Sequence, residues 1–278
     1  MERSNGKLQF AEFLKFWRDV HNISQEELAN KLNRSSRHIS RLENSSSRPS
    51  EHIIEDIASV LNLGTRDHSH MRISAGYSAK RSNISFHDPE LKWLTKVMKL
   101  TLQSLDPYPT TLTDSLGNLL MVNRGWVDFL DKARPNTDLT VFNNIYDLLI
   151  FLKGSEPASD DWQNAHSMLL MALKQAVMLD DCEKQSELLA RLLKSPDVPA
   201  DWKQRAAKLE PTVSFKLQFK YENSTKDFYS VSHDFGGAGG ASYITEPKLT
   251  INTLYPIEDD YDLTALIESD LSHPLLYY

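Results

Sequence analysis

The chain has 278 residues, 40% hydrophobic and 25% charged, with a formal charge of −7. That length suits one small domain plus one of ordinary size, and the composition is globular. A single cysteine, Cys182, rules out an intrachain disulfide framework and a cysteine-based metal site. No stretch approaches the roughly 20 apolar residues that span a bilayer, and MERSNGKLQF lacks the apolar core of a secretory signal. The expectation is a cytoplasmic protein with no membrane partner and no cofactor. The charge is uneven. Between Lys31 and Arg48 there are five basic residues and one acid, whereas from residue 71 onward there are 21 basic and 28 acidic residues. A local basic patch on an acidic chain implies a charged partner for that patch alone.

In FAEFLKFWRDVHN, residues Phe10, Phe13, Leu14 and Trp17 recur at helical spacing. SQEELANKL follows, with Ser24 and Glu27 spaced as a capping box and Leu28 and Leu32 facing inward. The chain turns at Asn33-Arg34, and Ser35 caps a short helix, SRHISRLEN, with Ile39 and Leu42 inward. Arg48-Pro49-Ser50 restarts the chain with Pro in a first turn. EHIIEDIASVLNL gives a further apolar stripe that Gly64 is expected to end, and a last helix runs to Gly76. His68 and His70 fall on different sides of that helix, so they make no metal pair.

Two short helices joined by a tight turn make a helix-turn-helix. SQEELA, SSRHISRLEN and RPS together resemble the repressor-like domain of phage repressors and Xre-type bacterial regulators. The resemblance implies that the second helix of the pair enters the major groove, with Ser36, Arg37, His38 and Arg41 as base contacts. It places Gln25, Arg34, Asn44 and Arg48 at phosphates and pairs Arg18 with Glu43 in a structural salt bridge. The family usually has Gly where this chain has Asn33, a residue that tolerates left-handed backbone. A hydrophobic residue often follows, and here it is Arg34.

SAKRSNISFHDPE has no period and reads as a connector. LKWLTKVMKLTLQSL is an amphipathic helix stopped by Asp106-Pro107. PYPTTLTDSLGNLLMVN reads as a hairpin turning at Ser-Leu-Gly-Asn. Helical patterns then recur through Trp126, Val127, Phe129 and Leu130, through FNNIYDLLIFL, DWQNAHSMLLMALKQAVML and SELLARLLKSP, and briefly in DWKQRAA. The period changes to two in TVSFKLQFKYEN, where Val213, Phe215, Leu217, Phe219 and Tyr221 share a side. KDFYSVSHDF and KLTINTLYP are two further strands. FGGAGG lacks a following Lys-Ser/Thr and reads as a hairpin loop. Ser232, His233 and Asp234 are adjacent, but successive strand residues face opposite ways, so they make no triad.

PYPTTLTDSLGNLLMVN near the start and PKLTINTLYP near the end resemble the ligand-binding domain of MmyB-like transcription regulators. That resemblance implies a PAS-like antiparallel sheet with helices over one face, and a small apolar or fatty-acid-like ligand between them. Trp126, Phe129, Tyr146, Leu149, Phe215 and Phe219 are the candidate lining, although aromatics at such spacing also build cores. The expected architecture is α+β: an all-α five-helix domain over 1–76, a linker over 77–88 and a PAS-like ligand-binding and dimerisation domain over 89–278. The expected function is a sequence-specific, nucleoid-associated transcriptional regulator, a homodimer reading a palindromic operator on double-stranded DNA. An antitoxin-like or protein-interaction module with secondary DNA binding is the alternative. An enzyme is not expected, because nothing assembles a nucleophile, base and oxyanion donor.

Overall fold

The computed structural model describes residues 5–78, 85–152, 159–179, 182–209, 214–221, 224–235, 247–258, 263 and 271–278. The chain divides into two compact units, residues 5–78 and a second one beginning at residue 85.

The first unit is helical: α1 (Asn5–Val20), α2 (Gln25–Lys31), α3 (Ser36–Glu43), α4 (Glu51–Val60) and α5 (Thr65–Ser74). Ser24 and Glu27 form the capping box of α2, and Ser35 and Ser50 cap α3 and α4 through their hydroxyls. The C-termini share one device. Asn22, Asn33, Ser45, Asn62 and Gly76 each have positive φ, between 47° and 81°. Each sits just past a helix, and its N–H and the next one fold back onto the last turn, as in Asn33 N to Asn30 O and Arg34 N to Ala29 O. Two boundaries differ from expectation. Asn62, not Gly64, ends α4, because the left-handed residue falls there, and Gly64 instead precedes α5 in extended backbone. Pro49 lies before the Ser50 cap and not in the first turn of α4. Phe10, Leu14, Leu28, Ile39, Leu42, Ile54, Ile57 and Met71 form the core that these helices share. Tyr77 packs against it and donates from its hydroxyl to Pro49 O.

The second unit holds α6 (Lys92–Ser104), β1 (Thr110–Asp114), β2 (Leu119–Val122), α7 (Arg124–Ala133), α8 (Ile145–Phe151), α9 (Asp160–Leu179), α10 (Glu183–Leu192), α11 (Trp202–Lys208), β3 (Ser214–Tyr221), β4 (Ser224–Phe235) and β5 (Leu249–Pro256). The strands form one antiparallel sheet in the order β2-β1-β5-β4-β3. Val213 and the FGGAGG loop reading at 236–240 lie outside the described residues.

Alternation gives the sheet two faces. Leu112, Leu249 and Ile251 pack with Met98 and Leu102 of α6 on one face. On the other, Leu217, Phe219 and Phe228 pack with Phe129 and Leu130 of α7, Leu149 of α8 and Trp162 of α9. Helices therefore cover both faces, not one as the resemblance implied, because β1 and β5 turn apolar side chains toward α6. The free edge of β2 is closed near the C-terminus, where Val122 N donates to Leu275 O. Asn123 ties the sheet to α7. Its buried Oδ1 accepts from Thr110 N at 2.9 Å and Trp126 N at 2.8 Å, and its Nδ2 donates to Tyr108 O. Two residues on, a Cβ at Gly125 would stand 2.2 Å from Pro107 O, so only glycine allows that approach.

Candidate functional site

In the first unit, α2 and α3 present one surface. Asn33 holds the turn between them at φ 52°. Ile39 and Leu42 are buried, which turns Ser36, Arg37 and Arg41 outward. His38 is half-buried and gives its backbone N–H to Ser35 Oγ. Arg34, Arg37 and Arg41 are exposed and form no ion pair with any described residue. Asn44 donates to Ser40 Oγ. Arg48 stacks 5.0 Å from the Tyr77 ring centroid and reaches Gly76 O.

Beneath this surface lies a polar node. Glu43 is 1% exposed and accepts from Arg18 Nε at 2.8 Å and from Gln25 Nε2 at 2.7 Å. Arg18 also donates to Ile23 O. The hydrogen bond to Glu43 raises the Arg18 pKa despite the cost of burial. The Arg18–Glu43 contact was legible in the motif, whereas the third member was not: the Gln25 amide is engaged from within. The node ties α1, the start of α2 and the end of α3 to one another beneath the outer face of α3. His68, by contrast, meets Glu55 Oε1 at 3.1 Å, which gives it a structural partner.

In the second unit a cavity of about 390 Å³ lies between the sheet and α7, α8 and α9. This is within the usual range for small-molecule sites. Trp126, Phe129, Tyr146, Leu149, Phe215 and Phe219 all line it. Several of them also belong to the core: Trp126 is 3% exposed and Phe129 packs edge-on against Phe228 at 5.1 Å. Core and lining are the same residues here because the cavity is a gap in the core. Burial of Tyr146 pushes its phenol pKa up, so it stays neutral.

The helical walls are apolar, and the floor is mixed: Phe215, Leu217 and Phe219 of β3 and Leu254 of β5 line part of it. Two cross-strand rows of polar side chains line it: Thr111, Asn252 and Ser232 in one, Thr113, Thr250 and Asp234 in the next. None of these was expected from the sequence to line a cavity, and Ser232 and Asp234 were weighed only as members of a triad. The signal was present as alternate polar residues in TTLTD, SVSHD and LTINT, on strands whose neighbours bury both faces. His233 falls between Ser232 and Asp234 in sequence, and only the latter two line the cavity.

Residues 14–67 match the model of the helix-turn-helix family, and residues 94–220 match that of the MmyB-like transcription regulator ligand binding domain. No curated protein matches the chain. The fold and these matches define a DNA-binding transcription regulator with a ligand-binding domain. Within that class, residues 14–67 are of the Xre-type helix-turn-helix kind and residues 94–220 of the MmyB-like ligand-binding kind. The second match stops inside β3, so β4 and β5, which supply most of the polar floor, lie beyond it.

Proposed function

We propose that the protein regulates transcription by binding a specific palindromic operator as a homodimer, in response to a small apolar ligand held in the second unit. The observation that carries the DNA-reading half is the outward face of α3, with Arg37 and Arg41 unpaired over a locked Arg18–Glu43–Gln25 node. Arg37 and Arg41 read guanine O6 and N7, and Ser36 and His38 contact neighbouring base edges. Gln25, Arg34, Asn44 and Arg48 meet phosphates and set register. Half-sites lie about one helical turn apart. The ligand-binding half is supported by the cavity and by the six aromatic and aliphatic residues on its walls. No described helix is long and apolar enough to cross a membrane. The domains are proposed to run over 1–76 and 89–278 with a linker at 77–88.

Selection of genomic fragments by the purified protein, followed by footprinting at two salt concentrations, tests this reading. A protected palindrome that survives moderate salt is expected. Arg37→Ala should then cost about 1–3 kcal/mol on the operator and relax preference at one base pair. Binding that is blind to sequence and vanishes with salt would instead leave only the phosphate contribution and reject the operator.

A second reading, a protein-interaction module, has one observation in its favour. On α6, Trp93, Val97 and Leu100 are exposed in a row. We assign that row to the second copy of this chain, and a stoichiometric different protein recovered on it would favour the interaction module.

A further inference from the structure

Resting on the cavity being the ligand site, we infer that its ligand is an amphiphile whose polar end donates hydrogen bonds and carries no negative charge, and so is not a fatty-acid carboxylate. The argument starts from the charges on the wall. The acidic residues of the lining are Asp114 and Asp234. No Lys, Arg or His is among the described lining residues. Ser232 and Asp234 are solvent-exposed, so this end of the cavity opens to water. A carboxylate placed there would meet no cation among the described lining residues and two acidic side chains nearby, and like charges held close together repel.

A neutral hydroxyl end meets the opposite situation. The floor offers acceptors to a donating group. Ser232 Oγ lies 2.7 Å from Asn252 Oδ1, and Thr250 Oγ1 lies 2.7 Å from Asp234 Oδ1. Asp114 accepts from Leu116 N, Asn118 N and Asn118 Nδ2 in its own turn, whereas Asp234 accepts from Thr250 through Oδ1, which leaves its Oδ2 as the acceptor for a donating group. Thr111 supplies the independent sign. It lines the cavity, is 3% exposed, and its Oγ1 has no hydrogen-bond partner. Threonine at that position sacrifices stability, since a buried hydroxyl left unpaired is worse than a methyl. Such a group is explained by a ligand that completes it. The alkyl body of the ligand lies against the apolar walls formed by α7 and α8.

The test compares two probes of equal chain length, 1-dodecanol and dodecanoate, titrated into the full-length protein at pH 7.5 by tryptophan fluorescence, since Trp126 lines the cavity. Dodecanol is expected to bind at least tenfold more tightly. Asp234→Asn should narrow the gap by strengthening dodecanoate. Thr111→Val should weaken dodecanol several-fold while the melting temperature of the free protein holds or rises. Dodecanoate binding as tightly as dodecanol would overturn the inference and leave the cavity as a ligand site. Binding of neither probe would overturn the cavity reading and the inference together. A Thr111→Val protein that melts lower and binds dodecanol unchanged would make Thr111 purely structural and remove its part in the argument.

Discussion

Two buried side chains show how much depends on single polar groups. Glu43 is an enclosed carboxylate side chain, and its burial is tolerable because Arg18 and Gln25 both donate to it. Glu43→Ala leaves the Arg18 guanidinium, 17% exposed, with only Asp19 and the Ile23 carbonyl as partners. Breaking a buried pair from one side costs about 3–5 kcal/mol, and the partial exposure of Arg18 places this case near the lower end. Thermal melting of the variant should show that loss, and DNA binding should weaken on all sequences alike, since the whole α3 face loosens. His166 is the opposite case. It lies on α9 at 1% exposure, edge-on to Trp162 at 4.7 Å, with neither ring nitrogen hydrogen-bonded. Burial lowers its pKa to about 4, and the charge of Asp197 only partly opposes this. The unfolded imidazole takes up a proton near pH 6.5, the folded one only near pH 4, so acid favours the unfolded chain. Stability should therefore fall as pH drops from about 6.5 to 4, by on the order of 3 kcal/mol. His273, whose pKa is also lowered by burial, acts in the same direction. Stability measured by denaturant melts should fall steeply across this range for the native chain and less so for His166→Phe. An unchanged slope in the variant would assign the acid sensitivity to other groups.

At the scale of elements, the helices and strands were legible because each carries a period and a punctuation mark. The caps Ser24 and Ser35 and the alternation of Phe215, Leu217 and Phe219 are local signals. What escaped is what depends on distant partners. The end of α4 was misplaced because Asn62 and Gly64 both suit a left-handed residue, and only packing decides which one takes it. The polar floor escaped because Thr111, Asn252 and Ser232 are far apart in sequence and meet only through the register of β1, β5 and β4. The helix α6 carries a similar hidden feature. Met98 and Leu102 face the sheet, while Trp93, Val97 and Leu100 leave a second apolar face, 62%, 44% and 54% exposed. An exposed apolar face of this kind marks a contact surface, which the proposed homodimer would cover. Replacing Val97 and Leu100 together by Lys should leave the fold intact by circular dichroism and halve the mass measured by light scattering. A native chain that is already monomeric would remove the homodimer, and with it the palindrome.

For the whole molecule, a ligand in the second unit can change DNA binding only through a difference in its affinity for the DNA-competent and incompetent states. The size of the effect is bounded by that difference: moving an equilibrium from 1:99 to 99:1 needs about 5.5 kcal/mol of it. Tight binding to the cavity is by itself no evidence of regulation. Linkage supplies the decisive measurement, because coupling is reciprocal. If saturating 1-dodecanol changes the operator dissociation constant by some factor, saturating operator must change the dodecanol dissociation constant by the same factor. Typical couplings correspond to roughly 5–150-fold. Both titrations should be run on the native chain at one salt concentration, since the basic patch between Lys31 and Arg48 makes the DNA constant steeply salt-dependent. Equal factors in the two directions establish that the cavity and the α3 face report on one conformational equilibrium. A factor of one in both directions, with each ligand bound, would mean that the second unit binds its ligand without telling the first.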